Sequence, residues 1–421
     1  MIKIIHISSD DIKYGASRAG YRLHMSLLDQ GITSKMIVLT KFGDDHTVIG
    51  PPNILSKGMG FIRPFIDKLP LNILHRKRQN TQWSLNWFPG TILKIIRREK
   101  PDVVHLHWIG GGTISIAQLA RIPCPMAWTF HDMWAFTGGC HYTGECTRYY
   151  DKCGACPQLK TSRSSDLSRW TWNRKEKRWR QMNVTIITPS NWMARCVRES
   201  RLLHTLPIRS IPYCLDLQTY RAIDREQART ILNLPRGKKL ILFGAVNAAS
   251  DTRKGFNFLQ PTLQTLHREY QNIGIELVIF GASESPDSPD MGFKTHYMGT
   301  LSDDVTLALL YSAVDVFIAP SIQDNLPNTV LEATACGTPS VAFNIGGMSD
   351  LIEHKITGYL AQPFSTKDLG RGIIWILEKE DRYQAMSRSA RGKAERDFSP
   401  NGVAKEHINL YNEIIHQKKG L

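Results

Sequence analysis

Short apolar runs punctuate this chain at residues 2–8, 34–39, 103–107 and 126–130, and a further one ends at 186–189. Segments of helical periodicity separate them, at 17–30, 87–99, 113–119 and 191–199. Runs this short, alternating with helices, predict a mostly parallel α/β sheet. The pattern fades between Pro212 and Pro235 and then resumes. Strands are predicted at 239–243, 276–280, 314–319 and 340–343, with helices at 255–270, 303–312 and 330–336. Helical segments at 370–378, 381–397 and 403–417 follow. The expected division is a domain over 1–212 with a cysteine-rich insertion at 138–160, a second domain over 213–395, and a terminal helical segment over 396–421. A length of 421 residues suits two such domains.

Composition narrows the class. With 42% hydrophobic and 22% charged residues, the chain is expected to fold rather than stay disordered. No apolar run reaches the roughly 18 residues of a membrane span, and the start reads as a buried strand rather than a signal peptide. The expected location is therefore cytoplasmic. The net charge of +15 concentrates in two stretches. Lys57, Arg63, Lys68, Arg76, Lys77 and Arg78 are interleaved with Phe61, Phe65, Ile66, Leu69, Leu71, Ile73 and Leu74. Arg169, Arg174, Lys175, Lys177, Arg178 and Arg180 accompany Trp170, Trp172 and Trp179. Such mixtures suit an anionic membrane surface, a nucleic acid backbone, or a basic surface over buried aromatics.

Several motifs lie where strands run into helices. Gly15, Ala16 and Gly20 form a permissive first turn, though not a GxGxxG fingerprint, and Gly110, Gly111 and Gly112 form another. After the strand 239–243, Arg253 and Lys254 place cations at a helix entrance, a combination suited to a diphosphate. Asp324 and Glu332 are two acids bracketing a helix start, followed by the loop Ile345, Gly346 and Gly347. Carboxylates there can accept sugar or ribose hydroxyls. The alternative is structural, since Thr329 with Glu332 matches a capping box. His131 and His141 follow the strand 126–130 and suit hydrogen bonding or acid–base work. Cys140, Cys146, Cys153 and Cys156 end in CGAC, a knuckle spacing that suits structural zinc. Free thiols or disulfides are the other readings. Four ligands in a closed site would leave no catalytic position.

These residues resemble glycosyltransferase family 4, the retaining, sugar-nucleotide-dependent enzymes of GT-B fold. The resemblance spans nearly the whole chain and is strongest over 320–347, where Asp324 and Glu332 match the family's Glu-x7-Glu element. The segments around QDNLPNTVLEATACGTP and TFHDMWAFTGGC look like the branch that builds bacterial exopolysaccharide, colanic-acid-like polymers or O-antigen. The resemblance implies two Rossmann-like domains facing each other across a cleft that holds the donor, a UDP- or GDP-sugar. It implies diphosphate contacts from Lys254 and Arg253, with the backbones of Gly15, Ala16, Ile345, Gly346 and Gly347 close by. Glu332 would hold ribose hydroxyls, Asp324 the sugar hydroxyls, and His131 would orient the sugar. Val246 and Asn247 stand where the family carries an arginine, and aspartate replaces the more frequent first glutamate. The implied reaction is retaining transfer to a hydroxyl of a glycan or lipid-linked oligosaccharide in surface polysaccharide biosynthesis, without a catalytic metal. The enzyme would be cytoplasmic or peripheral on the inner membrane face. Two competing readings are a zinc-stabilised nucleic-acid-binding protein, which lacks a recognition module, and a noncatalytic GT-B scaffold.

Overall fold

A computed structural model of the chain describes residues 2–180, 182–244, 251–285 and 289–419. It divides into two compact units, Met1–Cys214 with Pro400–Leu421, and Leu215–Ser399.

The first unit begins β1 (Lys3–Asp10), α1 (Gly15–Asp29), β2 (Thr33–Thr40), β3 (Val48–Ile49) and α2 (Ile54–Leu74). It continues α3 (Ile92–Glu99), β4 (Val103–Leu106), α4 (Ile116–Leu119), β5 (Met126–Thr129) and α5 (Leu167–Trp179). It then runs through β6 (Val184–Thr188), α6 (Asn191–Glu199) and β7 (Ile208–Ser210). The strands form one sheet in the order β3-β2-β1-β4-β5-β6-β7, with every pairing parallel. Strands β4, β5 and β6 are buried along their whole length, as strands covered by helices on both faces must be. Ile5, Ile7, Leu106, Trp128 and Ile186 share a core with Trp172 and Trp179 of α5.

Unit two comprises α7 (Arg225–Ile231), β8 (Lys239–Gly244), α8 (Phe256–Glu269), β9 (Ile275–Phe280), β10 (Thr295–Tyr297) and α9 (Asp304–Ala313). It continues β11 (Val316–Ala319), α10 (Asn328–Ala335), β12 (Ser340–Phe343), α11 (Met348–Leu351), β13 (Gly358–Ala361), α12 (Thr366–Leu377) and α13 (Glu380–Asp397). Its parallel sheet runs β10-β9-β8-β11-β12-β13. The last helix, α14 (Pro400–Lys419), belongs to the first unit. There it packs Val403, Ala404, Tyr411 and Ile414 against Ile4, Leu23 and Leu27.

In each sheet the strand order reverses once among the described residues, between β1 and β4 and between β8 and β11. Helices leave toward opposite faces at such a point, so the loops beyond the strands' carboxyl ends part and leave a crevice for a ligand.

Several local expectations change. The helix expected over 87–99 starts only at Ile92, because Phe88-Pro89-Gly90 cannot continue helical geometry. The helix expected from Thr113 begins after the Ser115 cap, since Gly111 and Gly112 adopt positive φ. Helices α2 and α5 form within the two basic stretches. Of the three tryptophans in the second stretch only Trp170 is exposed; Trp172 and Trp179 are core. That stretch is therefore not the mixed aromatic surface its composition suggested.

Candidate functional site

In the second unit, the loop after β8 reaches a short 3-10 turn, Thr252–Lys254, and then α8. Val246 and Asn247 lie outside the described residues. Gly255 turns the chain with φ +70°, and a Cβ there would lie 1.8 Å from the Pro320 carbonyl oxygen, so only glycine fits. This close approach, together with a bond from the Ile322 amide to the Arg253 carbonyl (2.8 Å), fastens the loop to the segment after β11.

That contact brings two distant residues together. Lys254 Nζ lies 2.9 Å from Asp324 Oδ2. The other carboxylate oxygen of Asp324 accepts the Asn325 amide (2.9 Å), and its backbone carbonyl accepts the Gly347 amide (3.2 Å). Gly346 has φ +54°, and a Cβ there would lie 1.9 Å from the Asp324 carbonyl oxygen. The Ile345–Gly347 loop beyond β12 is thereby held against Asp324. Asp324 is buried, whereas the Lys254 side chain is 39% exposed and so remains reachable by a ligand. Arg253 pairs with Asp251 within its own turn (2.6 Å).

Glu332 is also buried, and Tyr311 Oη donates to its Oε2 (3.2 Å). Helix α10 starts at Asn328 with Pro327 at its N-cap and no side-chain cap bond. Glu332 therefore sits one turn inside the helix, and the capping-box alternative fails. Burial and the adjacent Glu332 carboxylate hold the Tyr311 hydroxyl well above its ordinary range, so it remains a donor.

In the first unit, Gly15 opens α1 beside the carboxyl end of β1, with Ala16 next in the helix. The buried Asp10 carboxylate accepts the Lys13 and Tyr14 amides (3.0 and 3.4 Å), and Asp11 accepts those of Phe42 and Gly43. His131 follows β5 and is buried. Its Nε2 meets His107 Nδ1 at 3.2 Å, and its Nδ1 meets Tyr213 Oη at 2.8 Å. His107 Nε2 in turn meets His6 Nδ1 at 2.9 Å. Burial holds the His131 ring at about 4, so it is neutral at pH 7 and acts through hydrogen bonds rather than charge. His141 pairs instead with Asp132 (2.6 Å), which also accepts the Trp108 indole N–H (2.7 Å).

This histidine column escaped the sequence reading. Its sequence signal is the alternate spacing of His105, in β4, and His107, just beyond its end, with His6 paired to His105 in register. His6, His105 and His107 are the one group among the described residues whose ligand atoms lie close enough to hold a metal. The rings of His105 and His107 stack at 4.3 Å, and the His105 nitrogens meet Tyr411 and Thr129 hydroxyls at 2.7 Å. A metal would have to displace these bonds.

Cys140, Cys153 and Cys156 are buried free thiols and Cys146 is half-buried. The Gly138 amide donates to Cys153 Sγ (3.1 Å). Burial raises the Cys140, Cys153 and Cys156 thiols above their ordinary range.

Two family profiles match the chain: Glycosyltransferase Family 4 over residues 27–219 and Glycosyl transferases group 1 over residues 237–379. The chain is a relative of these glycosyltransferases. A Campylobacter jejuni protein named N,N'-diacetylbacillosaminyl-diphospho-undecaprenol alpha-1,3-N-acetylgalactosaminyltransferase is 29% identical over 143 residues, covering 33% of this chain and 37% of that protein. The chain spans less than half the length of this and comparable curated relatives, 37–44%. Among solved structures, sucrose-phosphate synthase of Thermosynechococcus elongatus superposes with TM-score 0.69 at 18% identity, over 99% of this chain and 100% of that one. Anabaena HepE, solved in complex with UDP and glucose, gives TM-score 0.63 at 14% identity, over 98% and 100%. At these identities the likeness establishes the fold, a GT-B-like pair of Rossmann-like units.

Proposed function

We propose that this protein is a retaining glycosyltransferase that moves a sugar from a nucleotide-sugar donor to a hydroxyl of a glycan or lipid-linked oligosaccharide. The observation that carries this reading is the Lys254–Asp324 pair at the reversal between β8 and β11, with Glu332 buried on the adjoining helix. Lys254 is half-exposed and paired to one carboxylate oxygen only. A donor diphosphate carries more charge than Asp324 and would take over Lys254, freeing the Asp324 carboxylate to accept sugar hydroxyls. Glu332, already accepting from Tyr311, suits the ribose hydroxyls. His131, neutral at pH 7, would orient the sugar by a hydrogen bond in the role that the resemblance implies. Leaving-group charge would be stabilised by the fixed cation and backbone amides rather than by a metal. The lipid-linked acceptor is supported by the Campylobacter relative, whose name specifies a transferase acting on a diphospho-undecaprenol substrate.

A panel of UDP- and GDP-sugars tests the reading by calorimetric titration. Saturable binding of at least one is expected, with Lys254→Ala weakening it by about tenfold or more and Glu332→Ala weakening it while the fold persists. Proton NMR of the product anomer should show retention. A folded protein that binds no member of the panel refutes the proposal.

For Cys140, Cys146, Cys153 and Cys156 the geometry favours the free-thiol reading over zinc, since they stand as free thiols and do not converge closely enough to hold a metal. Metal analysis of protein purified without chelator should find no zinc, and about one zinc per chain overturns this reading.

A further inference from the structure

Helix α2 is amphipathic the wrong way round. Its buried stripe is Gly60, Arg63, Asp67 and Leu71, a helical spacing that defines the inward face. Phe61, Ile62, Phe65, Leu69 and Ile73 lie on the outward face, and all five are exposed, Phe65 at 73%. The inversion is held by specific bonds. Arg63 donates to the Gly112 carbonyl (2.9 and 2.7 Å) and the Pro89 carbonyl (3.1 Å). The Asp67 carboxylate accepts the Leu85 and Asn86 amides (2.9 and 2.7 Å). The polar side chains are thus committed inward, and the helix cannot roll to bury its apolar face without leaving two charges and two buried amides unsatisfied.

The apolar face continues beyond the helix. Phe42, exposed in the loop after β2, packs edge-on against Phe61 at 6.5 Å. Contiguous exposed apolar surface of this kind marks an interaction site. Charge identifies the partner. Between Ile54 and Arg78 the sole acid is the buried Asp67, while Lys57, Lys68, Arg76 and Lys77 are all at least partly exposed. No helix among the described residues is long and apolar enough to cross a membrane.

We propose that α2 docks this protein on an anionic lipid surface, lying in the interface with Phe61, Phe65, Leu69 and Ile73 among the acyl chains and its basic residues at the headgroups. Apolar insertion flanked by cations, with no exposed acid between Ile54 and Arg78, is the pattern that binds such surfaces and that a protein partner or zwitterionic lipid would not require. The inference stands apart from sugar transfer, since lipid binding and donor binding are separate measurements.

The test is co-flotation of the full chain with vesicles of phosphatidylcholine alone or mixed with phosphatidylglycerol, at low and high salt. Binding to the anionic vesicles is expected, with Phe61→Asp/Phe65→Asp reducing it by more than about tenfold. Both side chains are exposed, so the melting temperature of the variant should match the parent. Arg76→Glu/Lys77→Glu should weaken binding and reduce its salt dependence. Three results overturn the proposal: no flotation with anionic vesicles, equal flotation of the parent and the Phe61→Asp/Phe65→Asp variant, or equal binding to neutral vesicles. A dimer that the same aspartates dissociate, without vesicle binding, also overturns it by assigning the face to a second copy of the chain.

Discussion

In α2, Phe61, Phe65, Leu69 and Ile73 face solvent while Arg63 and Asp67 are buried; in α5, Trp172 and Trp179 are buried with Lys175 between them. Both helices mix cations with large apolar side chains, and what each helix faces decides which kind goes inside. The inward face of α2 meets loop backbone, the Gly112 and Pro89 carbonyls and the Leu85 and Asn86 amides, which only charged or polar side chains can satisfy. The inward face of α5 meets rings, with Trp179 5.3 Å from Trp128 and 5.9 Å from Trp134. Lys175 is accommodated there because its ammonium group sits over the Trp134 ring (3.8 Å) and donates to the Trp134 and Thr137 carbonyls.

The contrast can be broken by substitution. The largest effect is expected from Trp172→Ala, which empties a fully buried indole site and should cost about 3–5 kcal/mol in chemical denaturation. Next comes Lys175. Burial holds its ammonium at about 7, against 10.5 in an unfolded chain. Between those values the unfolded state binds the extra proton, so stability should rise with pH across that window. The contribution of this one group is on the order of 5 kcal/mol over the whole window. Lys175→Met should flatten the rise, and parallel slopes for the two proteins would count against the burial of this cation. Asp67→Ala strands two buried amides and should destabilise by about 2–3 kcal/mol, a clamp effect separable from lipid binding. The smallest effect belongs to Phe65→Ser, within about 0.5 kcal/mol of the parent, because a residue this exposed holds nothing together. A large loss of melting temperature there would mean that α2 packs its outward face against the protein.

The two-sheet α/β architecture was legible because strands buried on both faces read as near-continuous apolar runs, as in β8 and β11. Helix α2 was not, because Pro64 and Pro70 argue against a helix and its apolar periodicity points outward. Within the candidate site, Lys254 and Asp324 could each be named from their loops, but their pairing across 70 residues depends on β8 lying beside β11. Strand order is not written in local pattern. The same limit hid the histidine column, which needs β1, β4 and the end of β5 side by side before His6, His107 and His131 can touch. Glu332 shows the converse. Its capping-box match was a local coincidence, and the helix begins where Pro327 sets it.

The position of α14 bears on how the chain is made. Residues 1–214 of the first unit are translated before the second unit, yet their core lacks Val403, Ala404, Tyr411 and Ile414 until the second unit has been translated. His105, in the middle of that sheet, finds its Tyr411 partner 306 residues later. Throughout synthesis of the second unit, the nascent first unit therefore carries an open apolar seam over Ile4, Leu23 and Leu27. A stop codon shortly before residue 400 would leave that seam permanently uncovered, giving a protein that collects in inclusion bodies while its second unit is fully encoded.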